Sequence, residues 1–285
     1  MRSKLFVPGA RPELFAKALA GDADALSFDL EDSVPEAGKD TARAAVAAFL
    51  DDAALAASPK CVIVRTNAPD SPHFAADLAA LVHARVDLLN IPKLETTAQV
   101  QAIAAQLQAL EAAAGLSRPI SLLLNIETPA GLRQAPLLAA AHRRVAGLQL
   151  GLADLFAVNG VARTPANVHA ALFALKMAAA QAGVFAYDSA WPNVSDEAGF
   201  QTEAGLARDL GFLGKSCIHP RQVAWANSVF GVSAERLDEA RRIVAAAEAA
   251  STSGRGAFLF EGRMIDAPFL RQAQLLLAAD RSPAA

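Results

Sequence analysis

Cysteine is almost missing from this chain, with two residues, Cys61 and Cys217, in 285. Each sits inside an apolar run and reads as a buried thiol, and neither a disulfide framework nor a zinc spacing can be built from the pair. Long apolar stretches without a charge are missing too, so no segment reads as a membrane span. The amino terminus, Met1-Arg2-Ser3-Lys4-Leu5-Phe6-Val7-Pro8-Gly9, breaks at Pro-Gly before a signal-peptide core could form. Charge of one sign is scarce: the net is −3 and the basic residues are scattered, which gives no electrostatic case for nucleic acid. No Gly-x-Gly-x-x-Gly follows any strand-like run, which counts against a dinucleotide fold. The expectation is a soluble, cytoplasmic protein with neither nucleic acid nor membrane as a partner.

What is present is alanine-rich helical sequence alternating with short apolar runs. Eight such runs, at residues 4–8, 25–30, 61–66, 87–92, 120–126, 147–152, 184–188 and 214–219, read as parallel strands buried on both faces. Helix candidates at 11–20, 39–50, 74–84, 96–114, 131–141, 165–182 and 196–210 lie between them. Eight β/α units predict a (β/α)8 TIM barrel over residues 1–230, with a doubly wound open sheet as the alternative. Residues 231–285 do not fit the barrel count. They read as a helix over 234–250, a polar break Ser251-Thr252-Ser253-Gly254-Arg255-Gly256, a hairpin around Glu261-Gly262 and a helix over 268–279. This extension is expected to be a lid over the active face or an arm onto a neighbouring subunit.

Barrel enzymes carry their chemistry at strand C-termini. Glu127 follows the fifth run and Asp154 the sixth, so both should point into one cleft. Two hard oxygen ligands at an open site suit Mg²⁺, with Mn²⁺ a possible substitute. The other strand ends add the acids Asp29, Glu31, Asp32 and Asp188 and the cations Arg11, Arg65 and Lys93. Arg65 can grip a carboxylate through two parallel hydrogen bonds. Acids holding a metal beside an arginine would suit an α-hydroxy or α-keto acid. In the plainer alternative, Asp29, Glu31 and Asp32 only pair with Arg65 and Lys93 in a supporting ring of charges.

Eight segments in order carry a resemblance. They are Arg2-Ser3-Lys4-Leu5-Phe6-Val7-Pro8-Gly9, Asp29-Leu30-Glu31-Asp32-Ser33-Val34, Val64-Arg65-Thr66-Asn67, Ile91-Pro92-Lys93, Ile126-Glu127-Thr128, Leu150-Gly151-Leu152-Ala153-Asp154-Leu155, Gly214-Lys215-Ser216-Cys217-Ile218-His219-Pro220 and Gly262-Arg263-Met264-Ile265-Asp266. Together they resemble the citrate lyase β-subunit and malyl-CoA lyase family of Mg²⁺-dependent TIM-barrel lyases and aldolases. The resemblance implies that Glu127 and Asp154 ligate Mg²⁺ and that Arg65 binds the keto-acid part of the substrate. It further implies that Phe6, Arg11, Lys17, Ile218 and His219 contact a coenzyme A thioester. Asp266 would be the acid/base, supplied by a C-terminal segment that closes over a neighbour's site in a homotrimer or hexamer. The implied reaction is retro-Claisen cleavage of malyl-, citramalyl- or citryl-CoA to acetyl-CoA or a related acyl-CoA and an α-keto acid. The alternatives are a citrate lyase β-subunit acting on a carrier-protein thioester, and a non-catalytic barrel that binds a CoA ester. Two loops depart from the family pattern: Asn193 stands where an acid is usual, and 66–72 keeps only the outline of the usual loop.

Overall fold

In the computed structural model, eight parallel strands form a barrel wall inside a ring of helices. The structure describes residues 1–251 and 257–281. The strands β1 (Ser3–Pro8), β2 (Ala25–Asp29), β3 (Cys61–Arg65), β4 (Leu88–Ile91), β5 (Ser121–Ile126), β6 (Val145–Leu150), β7 (Phe185–Tyr187) and β8 (Lys215–Cys217) pair in chain order, and β8 returns to β1. Between β7 and β8 the ring is joined by one bridge, Asp188 to Lys215. The helices of this unit are α1 (Phe15–Ala20), α2 (Lys39–Leu50), α3 (Ala53–Ala56), α4 (Phe74–Leu81), α5 (Thr97–Ala114), α6 (Pro129–Ala140), α7 (Leu152–Ala157), α8 (Pro165–Ala182), α9 (Glu197–Asp209) and α10 (Pro220–Phe230). The TIM-barrel expectation is met.

Alternation along each strand divides the core. On β5, Leu122, Leu124 and Ile126 join the apolar layer beneath the helices, while Asn125 turns inward to meet Gln149 of β6. The N-terminal end of the barrel is plugged by Ala25, Ile63 and Leu88, with Met1, Cys61, Ala146 and Phe185 packed against them. Gly147 makes that plug possible, because a Cβ there would run into the Phe185 ring. Nearer the C-terminal end the interior turns polar: Lys4, Ser27, Asn90, Asn125 and Gln149 are all buried. Of the two thiols, Cys217 is buried and Cys61 half-buried, and burial pushes both up to about 12.

Local signals explain most element boundaries. Thr96 caps α5 in a reciprocal box with Gln99, and the helix ends at Gly115 with φ +67°. Thr164 and Pro165 open α8, and Gly183 closes it at φ +70°. The region expected as one helix over 11–20 starts with a separate tight turn, Pro12–Leu14, before α1. A second departure matters more for the site. The sixth strand stops at Leu150 instead of running to 152, and Asp154 lies in the first turn of α7. Leu152, Leu155 and Phe156 are spaced three and four apart and bury one helical face, so helical burial wins over strand extension there.

The second compact unit is Gly231–Ala285. It contains α11 (Ala234–Ser251), the antiparallel pair β9 (Phe258–Phe260) and β10 (Arg263–Ile265), and α12 (Ala267–Arg281). Glu261 and Gly262, at φ +48° and +78°, make the two-residue hairpin turn with both central residues left-handed. Ala240, Ile243, Ile265 and Ala273 form a small core of their own. The polar stretch after Ser251, residues 252–256, lies outside the described residues. Among the described residues no helix is long and apolar enough to cross a membrane.

Candidate active site

The C-terminal ends of the strands surround a cavity of about 430 Å³. Phe6, Asp29, Asp32, Arg65, Glu127, Asp154 and Ile218 of the expected site all line it. Both carboxylates picked out from the sequence therefore face the same space, although Asp154 reaches it from a helix.

Glu127 is buried and held from three sides. The backbone N–H of Lys93 donates to its Oε1 at 3.1 Å, and the Asn125 side-chain amide donates to Oε2. The third side is Gly151, where a Cβ would stand 2.7 Å from the Cβ of Glu127 and 2.8 Å from its Oε2. Lys93 presents its N–H by adopting φ +55°, an uncommon left-handed conformation for a residue with a side chain. Directly after Glu127, the Thr128 hydroxyl accepts from Gly131 N at 3.0 Å and caps α6, so the carboxylate leaves a rigid strand–cap junction. Burial, together with the neighbouring charges of Glu31 and Asp154, pushes the Glu127 carboxyl up to about 8.

Arg65 is also fixed, in the ring of charges that the sequence offered as the plainer arrangement. Its Nε and Nη2 donate to the two oxygens of Asp29 at 2.7 and 2.8 Å, so the side-on Nε/Nη2 edge is occupied within the protein. Its Nη1 lies 2.9 Å from Glu31 Oε2 and 3.5 Å from Asp32 Oδ2, and its guanidinium stands 5.1 Å over the Phe6 ring. Burial alone would raise the Asp29 carboxyl, but the charge and hydrogen bonds of Arg65 outweigh it and hold that group below its ordinary value. Lys93 Nζ is 3.0 Å from Glu31 Oε1. These Glu31 contacts are charge contacts without hydrogen-bond alignment, and both buried oxygens lack a hydrogen-bond partner. Burial raises the Glu31 carboxyl against the pull of Arg65. The supporting ring of Asp29, Glu31, Asp32, Arg65 and Lys93 is thus assembled at the cavity edge.

Of the expected residues within the barrel unit, Arg11, Lys17 and His219 lie outside the cavity lining. Arg11, in the turn after β1, is exposed and paired with Glu13, and Lys17 is exposed on α1. His219 is half-buried, and its Nδ1 accepts from Arg221 N at 3.2 Å at the start of α10. Asp266 is exposed between β10 and α12 of the second unit. Asp188, an acid at the seventh strand end, is sequestered: the fully buried Lys215 Nζ lies 2.6 Å from it and 2.8 Å from Glu203. The same Glu203 holds Arg163, which donates to Ala190 O at 2.8 Å and so fixes one wall of the cavity.

Asn125, Gln149 and Gly151 line the site without having been assigned a part in it. A signal for two of them was present: a lone amide at an inward position of an otherwise apolar strand costs burial energy unless its hydrogen bonds are used.

The comparisons with known proteins agree with one another. A model of the HpcH/HpaI aldolase/citrate lyase family matches residues 2–220. Citrate lyase subunit beta of Escherichia coli K12 is 38% identical over 281 residues, covering 97% of this chain and 92% of that protein. L-malyl-CoA/beta-methylmalyl-CoA lyase of Cereibacter sphaeroides is 35% identical over 298 residues, covering 97% and 93%. The crystal structure of the protein CitE from Mycobacterium tuberculosis, in complex with magnesium, acetoacetate and coenzyme A, superposes with a TM-score of 0.75. It is 34% identical, and 98% of each chain is covered.

Proposed function

We propose a function from one premise: this chain belongs to the HpcH/HpaI aldolase/citrate lyase family. The function is Mg²⁺-dependent cleavage of a 3-hydroxy-3-carboxyalkyl acyl-CoA of the malyl-, citramalyl- or citryl-CoA type. The products are acetyl-CoA or a related acyl-CoA and an α-keto acid. The observation that carries this reading is the placing of Glu127, Asp154 and Arg65 on one cavity.

The donor set fits the cation. Glu127 and Asp154 line one open cavity, and two carboxylates there suit a hard ion that keeps its remaining positions for water and substrate oxygens. The ionised Glu127, costly to bury beside Glu31 and Asp154, also calls for the positive charge such an ion brings. Bound between Glu127 and Asp154, Mg²⁺ would act as a Lewis acid on the substrate's hydroxyl and carboxylate oxygens.

The protein's own groups do the rest. Arg65, unable to swing away from Asp29, contributes a fixed positive charge where the keto-acid oxygens gather, and Phe6 closes the floor beneath it. The bond between the hydroxyl-bearing carbon and the carbon α to the thioester breaks. A base takes the hydroxyl proton as that oxygen becomes the keto oxygen, the electron pair of the broken bond passes to the thioester as an enolate, and an acid returns a proton to the enolate carbon. Asp266 is the acid that the resemblance supplies. Phe6, Arg11, Lys17, Ile218 and His219 are assigned to the thioester portion on the same basis.

The test is a discontinuous assay with Mg²⁺ and a panel of malyl-, citramalyl- and citryl-CoA, with products read by mass spectrometry and EDTA as control. Metal-dependent acyl-CoA and keto acid are expected from at least one substrate. Glu127→Ala should lose at least about 100-fold in turnover. Asp266→Ala should abolish cleavage and leave divalent-ion binding unchanged; full activity would remove that residue from the mechanism.

A second reading has support in the 38% identity to a citrate lyase β-subunit. There the thioester is carried on an acyl-carrier protein, and turnover requires the carrier-linked substrate and partner subunits. Measurable CoA-ester binding without product from any substrate, free or carrier-linked, would leave a non-catalytic binding barrel.

A further inference from the structure

Lys4 is fully buried inside the barrel, and none of the cavity chemistry described above uses it. Among the described residues its ammonium has no carboxylate at ion-pair distance. Nζ donates to Gln149 Oε1 across the barrel, from β1 to β6, and lies 4.4 Å over the Phe6 ring and 5.4 Å from that of Tyr187. Burial lowers its pKa well below the ordinary lysine value, the charge of Arg65 acts in the same direction, and Asp29 opposes. A group so placed costs stability, and replacing it with a hydrocarbon of similar shape would relieve the cost.

We infer that Lys4 is a positioning residue for Glu127, acting through the side-chain amides of Gln149 and Asn125. The chain of contacts has a direction. Gln149 Oε1 accepts from Lys4 and, at 3.0 Å, from Asn90 Nδ2, so the oxygen end of that amide faces the interior donors. Its Nε2 then donates to Asn125 Oδ1 at 3.1 Å. With its oxygen engaged, Asn125 can present only its NH₂ to Glu127, where it donates to Oε2. A flipped Asn125 would point a carbonyl oxygen at a carboxylate and repel it. Lys4, Asn90, Gln149, Asn125 and Glu127 are each no more than 3% exposed, so bulk water competes little for these links. An amide has no orientation of its own; the donor-rich end of the chain sets it for every member.

The inference rests on the reading of Glu127 as a metal ligand. Outer partners that orient a ligand are worth roughly 10- to 100-fold in metal affinity. The experiment is a Mn²⁺ titration followed by electron paramagnetic resonance, with thermal melting, on wild type, Glu127→Ala, Lys4→Met, Asn125→Ala and the Lys4→Met/Asn125→Ala double variant. The expected result is Mn²⁺ binding by wild type that is abolished in Glu127→Ala and weakened at least about tenfold in Lys4→Met. The melting temperature of Lys4→Met should not fall, whereas a purely structural lysine would lower it. The double variant should bind no worse than Asn125→Ala alone, because both changes cut one chain.

Lys4→Met binding within twofold of wild type, or full additivity in the double variant, would overturn the inference while the metal reading stands. Unchanged Mn²⁺ affinity in Glu127→Ala would sink the metal reading and Lys4 with it. If Lys4→Met does not fold, Gln149→Leu cuts the same chain in the middle and is read by the same criteria.

Discussion

At the scale of single residues, this site is built by spending hydrogen-bond capacity internally. Arg65 was legible as an anion-binding residue from its place after the third strand, but its paired N–H edge belongs to Asp29. The ring of charges read from the strand ends included this pair; its side-on geometry was fixed only when β2 and β3 paired in register, with Asp29 opposite Arg65, 36 positions away. The pairing has a stability consequence with a definite sign. The folded-state pKa of Asp29 is depressed, so its contribution is present above its unfolded value and is lost as pH falls through the folded one. Asp29→Asn leaves the buried Arg65 short of its main counter-charge and should cost about 3–5 kcal/mol at pH 7. Urea midpoints measured from pH 7 down to pH 3 should show the gap to wild type narrowing towards acid. A constant gap would mean that the pair is not the source.

At the scale of elements, boundaries that carry their own capping chemistry could be read directly. The helices at 39–50 and 165–182 were expected at the limits observed, the latter because Thr164, Pro165 and Gly183 mark its ends. The hairpin at Glu261-Gly262 was legible for a similar reason. The end of β6 was not. Gly147 to Ala153 is apolar apart from Gln149 and suits either a strand or a helix; the helix wins from Leu152 because Leu155 and Phe156 bury with it. Gly151, at that switch, leaves room for Glu127 to pack against bare backbone. Gly151→Ala should therefore cost about 1–3 kcal/mol of stability through overpacking against Glu127, and drop turnover by roughly 100-fold through displacement of the carboxylate. A variant with near-normal turnover would show that Glu127 tolerates the shift.

At the scale of the whole molecule, the resemblance leads us to propose a homo-oligomer, a trimer or hexamer. The exposed Val158, Phe173 and Met177 supply apolar area that such contacts could cover. Light scattering at micromolar concentration should give a mass of three or six times 29.6 kDa, and a monomer mass would retire that proposal. Much about this protein followed from its sequence alone. Eight apolar runs separated by alanine-rich helices allow few arrangements other than a parallel barrel, and parallel strands deliver their C-terminal residues to one face. That is why Glu127, Asp154 and Arg65 could be named before any coordinates. Only the tertiary structure decided how those groups are held. The left-handed Lys93, the grip of Asp29 on Arg65, the burial of Asp188 against Lys215 and the amide chain from Lys4 to Glu127 all join residues from different strands and loops. Their partners are fixed by barrel closure and burial, which depend on the whole chain at once and leave no periodic mark in any one segment.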